Sequence, residues 1–369
     1  MTTAPTTQLT PRSPEALAEM LLQAREEKRQ LVLEDNLSVS CLDKVLKYKP
    51  ADLTLKVQSG ITMGQLYAET QQHGQTFPLT YPGDMRLIDV LGADEPAPET
   101  GVLGYPRDYV LGLEIATPDG ALTKCGGEVV KNVTGYDLAK LYVGSRHTLG
   151  VITSVALKLT GLPETSVLRR MALKNPQAGF DIVKDLLDEG LPLQAGLLLQ
   201  QKNKWELLLK FSGYKMLSEQ AVKSLKQKTT PLEPVEMTAA WFAEGSPPLR
   251  VEAVFPAAGQ AVLLEKLSSL PSAPGTVCIN PVAGICRINW ANGLLLSSEE
   301  MREGLRQLSH ELHACGGFLQ LLDFPETLEF KHLVEELNLP ADEVNRQLMK
   351  RFKEQYDPAG VLYSRVLPL

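Results

Sequence analysis

The chain has 369 residues, 44% of them apolar and 22% charged, with a formal net charge of −7. That length and balance suit a soluble protein of two domains with a sizeable core, and the acidic sign gives no nucleic-acid footprint. No apolar run approaches the roughly 20 residues of a membrane span.

The first residues, Met1 to Arg12, are polar and lack the basic run and apolar stretch of a secretory leader. Ser13 and Pro14 are placed to cap and open a helix from Glu15 to about Gln30, with Leu17, Met20, Leu21 and Ala24 at helical spacing. Leu31-Val32-Leu33 reads as a short strand, followed by the acidic segment from Glu34 to Asp43. Leu53 to Val57 alternates like a strand. Thr62 caps a second helix, Met63 to His73, which Gly74 ends. Phe77 to Pro98 reads as irregular. Tyr109 to Thr117 is a strand, and Pro118-Asp119-Gly120 a hairpin turn.

A glycine-studded stretch follows, from Gly126 to Thr153. It predicts a short helical segment over Asp137 to Val143, a turn over Gly144 to Gly150, and a strand from Val151. Glycines so dense beside an amide, a hydroxyl, a phenol, a cation and a carboxylate point to a binding loop on a rigid scaffold, more than to a core.

After Pro163 the chain reads as two rounds of strand, helix, strand, strand, helix. The first comprises Val167–Leu173, Pro176–Glu189, Leu193–Gln200, Trp205–Phe211 and Leu217–Lys228. Thr229 to Pro248 reads as a Pro- and Glu-rich linker. The second comprises Leu249–Phe255, Ala258–Leu270, strands around Val277 to Trp290, Ser298–Ala314 and a last strand, Gly317–Asp323. Such rounds predict a ferredoxin-like (split βαβ) arrangement, one antiparallel sheet with helices on one side. Pro340 to Tyr356 reads as a basic helix, after which Asp357 to Leu362 turns back toward the first domain. The fold class is α+β. No G-x-G-x-x-G opens a helix after a strand and no G-x-x-x-x-G-K-[ST] occurs, so doubly wound dinucleotide and P-loop folds are excluded. Five scattered cysteines, odd in number and without metal spacing, favour reduced thiols. His310 and His313 share a helix face without a third ligand nearby in sequence, and do not make a metal site.

Several motifs carry a resemblance, in order along the chain. They are Tyr105-Pro106-Arg107-Asp108-Tyr109-Val110-Leu111-Gly112, Lys131-Asn132-x-Thr134-Gly135-Tyr136-Asp137, Gly144-Ser145-x-x-Thr148-Leu149-Gly150-x-Ile152-Thr153, and Tyr356-Asp357-Pro358-Ala359-Gly360. Together they resemble the smaller FAD-binding subunit of bacterial glycolate oxidase, of the vanillyl-alcohol-oxidase/PCMH flavoprotein superfamily. The resemblance implies a PCMH-type FAD-binding domain over residues 1–163, in two subdomains of about 13–80 and 81–163. It further implies a cap domain over 164–335 and a C-terminal segment, 336–369, returning to the first domain. The implied cofactor is FAD. The implied partners are a larger FAD subunit and an iron–sulfur subunit of a glycolate-oxidising complex, and the expected location is cytoplasmic, with any peripheral membrane association made through those partners. By the same resemblance Tyr105, Arg107, Asp108, Lys131, Asn132, Gly135, Tyr136 and Asp137 would lie near the flavin or shape its loop. Gly144, Ser145, Leu149, Gly150, Val151 and Ile152 would supply backbone contacts to it. The larger subunit's metal signature, His-x-Gly-Asp-Gly-Asn-x-His, does not occur, and no general base for oxidising a hydroxy acid stands out.

The departures fall on one side. The family's first strand leads into a glycine-rich loop whose bare N–H groups hold the diphosphate; here Glu34 to Asp43 contains no glycine. It carries Glu34, Asp35 and Asp43, and one carboxylate about 4 Å from a phosphate costs roughly 4 kcal/mol at an effective dielectric of 20. The paired glycines of a second phosphate-contacting loop are replaced by Ile88 and Asp89. His147 stands at a glycine of the third loop, and Tyr363-Ser364-Arg365 replaces Asn-Pro-Gly near the end. Three functions fit these residues: an FAD-dependent subunit of a glycolate-oxidising complex, a flavin-free structural subunit of the same complex, and a stand-alone oxidase of another hydroxy acid or sugar.

Overall fold

The structure, a computed structural model, describes residues 8–33, 35–128, 137–202, 204–225, 229–242, 247–291, 298–340 and 342–369. The chain forms two compact units: residues 1–96, 105–162 and 340–369 make the first, and 97–104 with 163–339 the second.

The first unit opens with helix α1 (Pro14–Glu26), whose Ser13 side chain accepts from Ala16 N at 3.1 Å. Pro14 at its first position gives up no bond that the helix would have made. Strands β1 (Val45–Lys49) and β2 (Thr54–Gln58) precede helix α2 (Met63–Gln71), which starts in a reciprocal Thr62–Gln65 capping box. Helix α3 (Leu87–Ala93) and strands β3 (Val110–Ala116), β4 (Leu122–Gly126) and β5 (Val151–Lys158) follow. The five strands form an antiparallel sheet in the order β1-β2-β5-β3-β4. β5 lies at its centre and is buried at every position but Lys158, as its Val-Ile-Thr-Ser-Val-Ala-Leu sequence requires. Leu17, Leu21, Leu37, Val39, Leu42, Ile88, Val151 and Leu362 share one core.

The second unit carries strand β6 (Thr165–Leu173), helix α4 (Pro176–Asp188), the hairpin β7 (Leu193–Gln201) and β8 (Lys204–Gly213), helix α5 (Lys215–Ser224) and helix α6 (Pro234–Phe242). It continues with β9 (Leu249–Val254), α7 (Gln260–Ser269), β10 (Thr276–Asn280), β11 (Ile285–Trp290), α8 (Glu299–Ala314), β12 (Phe318–Asp323) and α9 (Leu328–Leu337). Its strands and the Thr230–Pro231 pair make one eight-stranded antiparallel sheet, with β6-β8-β7-β10-β11-β9-β12 in that order after the pair. The double strand-helix-strand-strand-helix reading is what forms. Alternate residues such as Leu207, Leu209, Val251, Cys286 and Ile288 pack in the core with Met301, Leu305, Leu308 and Leu312 of α8. The opposite side of β11 and β9 carries Arg287 and Glu252, 2.9 Å apart and both buried, with Gln320 donating to Glu252 at 2.7 Å. Trp241 of α6 lies over the Arg287 guanidinium at 4.6 Å. The chain then returns to the first unit as α10 (Glu343–Tyr356).

Four local readings are corrected. The stretch read as a linker contains α6, because Met237 and Trp241, one turn apart, bury themselves despite flanking prolines. The stretch read as irregular contains α3. Leu31 to Leu33 forms only isolated bridges, Leu31 with Leu362 and Leu33 with Leu37, since its pairing partner comes from the far end of the chain. β1 escaped the pattern search because it is an edge strand, exposed at every residue but Tyr48. All five cysteines are free thiols.

Candidate functional site

Among the described candidate residues, Arg107 and Gly144 bond to the C-terminal end of α3. Asp94 ends that helix in a left-handed conformation (φ 47°). Its buried carboxylate accepts from the Arg107 backbone at 2.9 Å and pairs with the Arg107 guanidinium. Burial raises the Asp94 pKa, against the pull of Arg107. Pro106 to Tyr109 make a single turn, closed by Asp108, which accepts from Tyr105 N at 2.8 Å. Tyr109 stacks edge-on to Phe77, 5.6 Å between centroids.

The Gly144 to Gly150 turn packs onto the same helix end. Gly144 N donates to Leu91 O at 2.9 Å and Arg146 N to Gly92 O at 2.7 Å. The second bond satisfies a carbonyl at the C-terminus of α3, and the first adds to one that already accepts from Asp94 N. Ser145 Oγ donates to Tyr142 O, and Thr148 Oγ1 to Ser145 O, both at 2.7 Å. Three successive turns of the backbone need positive φ: Gly144 at 85°, Arg146 at 49° and His147 at 61°. The last of these explains why glycine is the natural occupant of position 147. Leu149, Val151 and Ile152 are buried, and a Cβ on Gly150 would lie 2.7 Å from Ile115. Asp137 is exposed and pairs with Lys140 at 3.6 Å. Lys131, Asn132, Gly135 and Tyr136 lie outside the described residues. Glu128 pairs with Lys47 at 2.6 Å and Lys56 at 3.2 Å.

Two residues of this region escaped the sequence reading. Lys353 of α10 is buried and donates to Thr148 O at 2.8 Å, Leu362 O at 2.6 Å and Asp357 Oδ2 at 2.5 Å. Asp357 in turn accepts from Val361 N and Leu362 N at 3.0 and 2.8 Å. All three ammonium hydrogens are thus used. The node ties α10, the returning C-terminal turn and the Gly144–Gly150 turn together. The signal was present: Lys353 and Asp357 stand four residues apart at the end of a helix. His147 Nε2 approaches Ile88 O at 3.1 Å, while its Nδ1 is buried without a partner. Burial pushes its pKa down to about 4.

A small hollow of about 100 Å³ opens on the first unit's sheet beside the start of the glycine-rich stretch. Gly112, Gly126, Ser154 and Ala156 help to line it, with Lys56, Glu114, Lys124 and Glu128 around them. Burial raises the Glu114 pKa, but hydrogen bonds from Lys124, Ser154 and Lys56 outweigh it and hold the carboxyl at about 2. A larger hollow of about 630 Å³ lies in the second unit, between α6 and one end of the sheet, with Arg170, Gln201, Glu206, Thr276 and Asn289 in its walls.

The diphosphate side of an FAD site has no counterpart among the described residues. In the loop after Leu33, the amides of Asp35, Asn36 and Leu37 all donate to Val32 O at 3.2 Å. Ser38 N donates to Leu9 O and Leu42 N to Val39 O, both at 2.8 Å, and Ser40 N to the Ser38 hydroxyl at 3.3 Å. Ile88, at the position of the paired glycines, is fully buried against Leu37, Val39 and Leu42. Asp35 and Arg365 pair at 3.2 Å. These groups do not fit a dinucleotide's phosphates.

Comparison with known proteins agrees with the architecture. The FAD binding domain family matches residues 33–126. The chain is 31% identical over 150 residues to glycolate oxidase subunit GlcD of Bacillus subtilis, covering 40% of this chain and 32% of that one. It is 30% identical over 192 residues to glycolate oxidase subunit GlcE of Escherichia coli, covering 46% and 53%. The matches therefore span about a third to a half of the length of these two relatives. In solved structures the fold is similar to that of alkyldihydroxyacetonephosphate synthase, with a TM-score of 0.66 at 12% identity over 96% of this chain and 76% of that one. The α+β architecture, the matched FAD-binding segment and these relatives together make the chain similar to proteins of the vanillyl-alcohol-oxidase/PCMH flavoprotein superfamily.

Proposed function

We propose that this chain is a subunit of an FAD-linked 2-hydroxy-acid oxidoreductase complex of the glycolate oxidase type. The observation that carries the reading is the ring-side assembly. Arg107 and the Gly144–Gly150 turn are built onto one helix end and locked there by Lys353 and Asp357, in a chain similar to two glycolate oxidase subunits. No general base for removing a hydroxy-acid proton is assembled among the described residues of this region. Its nearest imidazole, His147, is turned onto a backbone carbonyl. The reading therefore assigns chemistry to the complex, with a larger FAD subunit and an iron–sulfur subunit as partners. The test is co-purification of the tagged chain with a larger flavin subunit, together with glycolate-dependent dye reduction in extracts with and without the chain. Loss of activity on deletion is expected. Undiminished activity, or failure to co-purify, overturns the assignment.

A further inference from the structure

We infer that this chain does not hold FAD, because it fills the diphosphate side of the ancestral cleft with its own groups. The inference deepens the subunit reading and concerns the same site.

A diphosphate is bound by several N–H groups that point outward and have no other partner. Six of the eight backbone amides from Asp35 to Leu42 already donate to the protein's own oxygens. Three amides converge on Val32 O, and those of Ser38, Ser40 and Leu42 are taken by Leu9 O, Ser38 Oγ and Val39 O. Opening them to a ligand would strand the carbonyls they now satisfy. The loop is also held from below: Gly60 N donates to Leu42 O at 2.8 Å, and a Cβ on Gly60 would fall 2.1 Å from Val39 O. Two contacts come from outside the loop. Ile88 fills the core beneath it, at a position where the family uses glycine. The C-terminal segment lies along its root, with Leu31 N donating to Val361 O at 2.7 Å and Tyr363 N to Leu31 O at 3.0 Å. Asp35 meets Arg365, so the loop's carboxylate already has the cation a phosphate would need.

The closure is collective. Restoring one glycine does not release six amides, and relocating the loop would break the bridge of Leu31 with the C-terminal segment. The chain therefore contributes no flavin of its own, and any redox centre in its complex sits in a partner.

The decisive experiment is a flavin count on the full-length chain, purified alone and as a complex with its larger partner. Folding is verified by a cooperative melt, and flavin is released by heat and read by fluorescence. The chain alone is then titrated with FAD. Expected are a colourless chain, a Kd for FAD of about 1 mM or weaker, and a complex whose flavin matches the larger subunit alone. Stoichiometric flavin in the purified chain, saturable FAD binding in the low micromolar range, or one additional flavin per complex would overturn the inference. Co-purification and flavin content are separate readouts. A chain that joins the complex without flavin supports both proposals, and a yellow chain that joins it sinks only this one.

Discussion

His147 gives the sharpest quantitative test of the site's interior. Its imidazole is buried, with Nε2 against Ile88 O and Nδ1 partnerless, and burial holds its pKa at about 4 against an ordinary 6.5. In the unfolded chain the ring takes up a proton near pH 6.5; in the folded chain it does not until about pH 4. Between those values the unfolded state binds more protons, so stability falls as pH falls. The loss begins near the unfolded pKa and levels off below the folded one. The gap between about 4 and 6.5, at about 1.4 kcal/mol per pH unit, amounts to about 3 kcal/mol. The variant His147→Gly removes the titrating group at a position whose φ of 61° glycine accepts freely. Urea unfolding midpoints measured from pH 7 to pH 4 should show the wild-type losing about 3 kcal/mol more than the variant. Parallel stability–pH curves for the two proteins would refute the assignment of a buried neutral imidazole.

The same ring constrains Gly92, where a Cβ would lie 2.1 Å from His147 Nε2. Gly92→Ala should cost about 1–3 kcal/mol by overpacking, yet be neutral or stabilising in the His147→Gly background, a coupling that a double-mutant cycle by urea melts reads directly. Lys353→Met should cost about 3–5 kcal/mol by leaving the Asp357 carboxylate buried without its cation, seen as a lowered urea midpoint. Glu252→Gln should likewise cost about 3–5 kcal/mol, whereas Arg287→Met combined with Glu252→Leu should stay within about 1 kcal/mol of wild-type, since both charges then leave together. Thermal melts of the three proteins check this.

How much of this was readable beforehand depended on whether the relevant partner lay close along the chain. The second unit's rounds of strand and helix announce themselves because each buries a regular face, as α8 does with Met301, Leu305, Leu308 and Leu312. The helix caps at Ser13 and Thr62 were equally plain. Position 147 was recognisable as a glycine site, and its positive φ shows why. The pairing of the six Asp35–Leu42 amides was not readable, because their acceptors include Leu9 and depend on the shape of the loop. Of Lys353, only the four-residue spacing to Asp357 was legible; its bond to Thr148 O, over two hundred residues earlier, was not.

Leu31 finds its strand partner only at Leu362, and Thr148 its ammonium only at Lys353. A ribosome delivers those partners after the whole of the second unit. The second unit, whose residues end at Leu339, is fully synthesised while the first still lacks its closing strand. Domains generally fold as units, in the order in which they emerge, but the first unit is completed only by residues 340–369, which follow the whole of the second. Until residues 340–369 have been made, the apolar floor around Leu31, Leu37 and Ile88 lacks Val361 and Leu362.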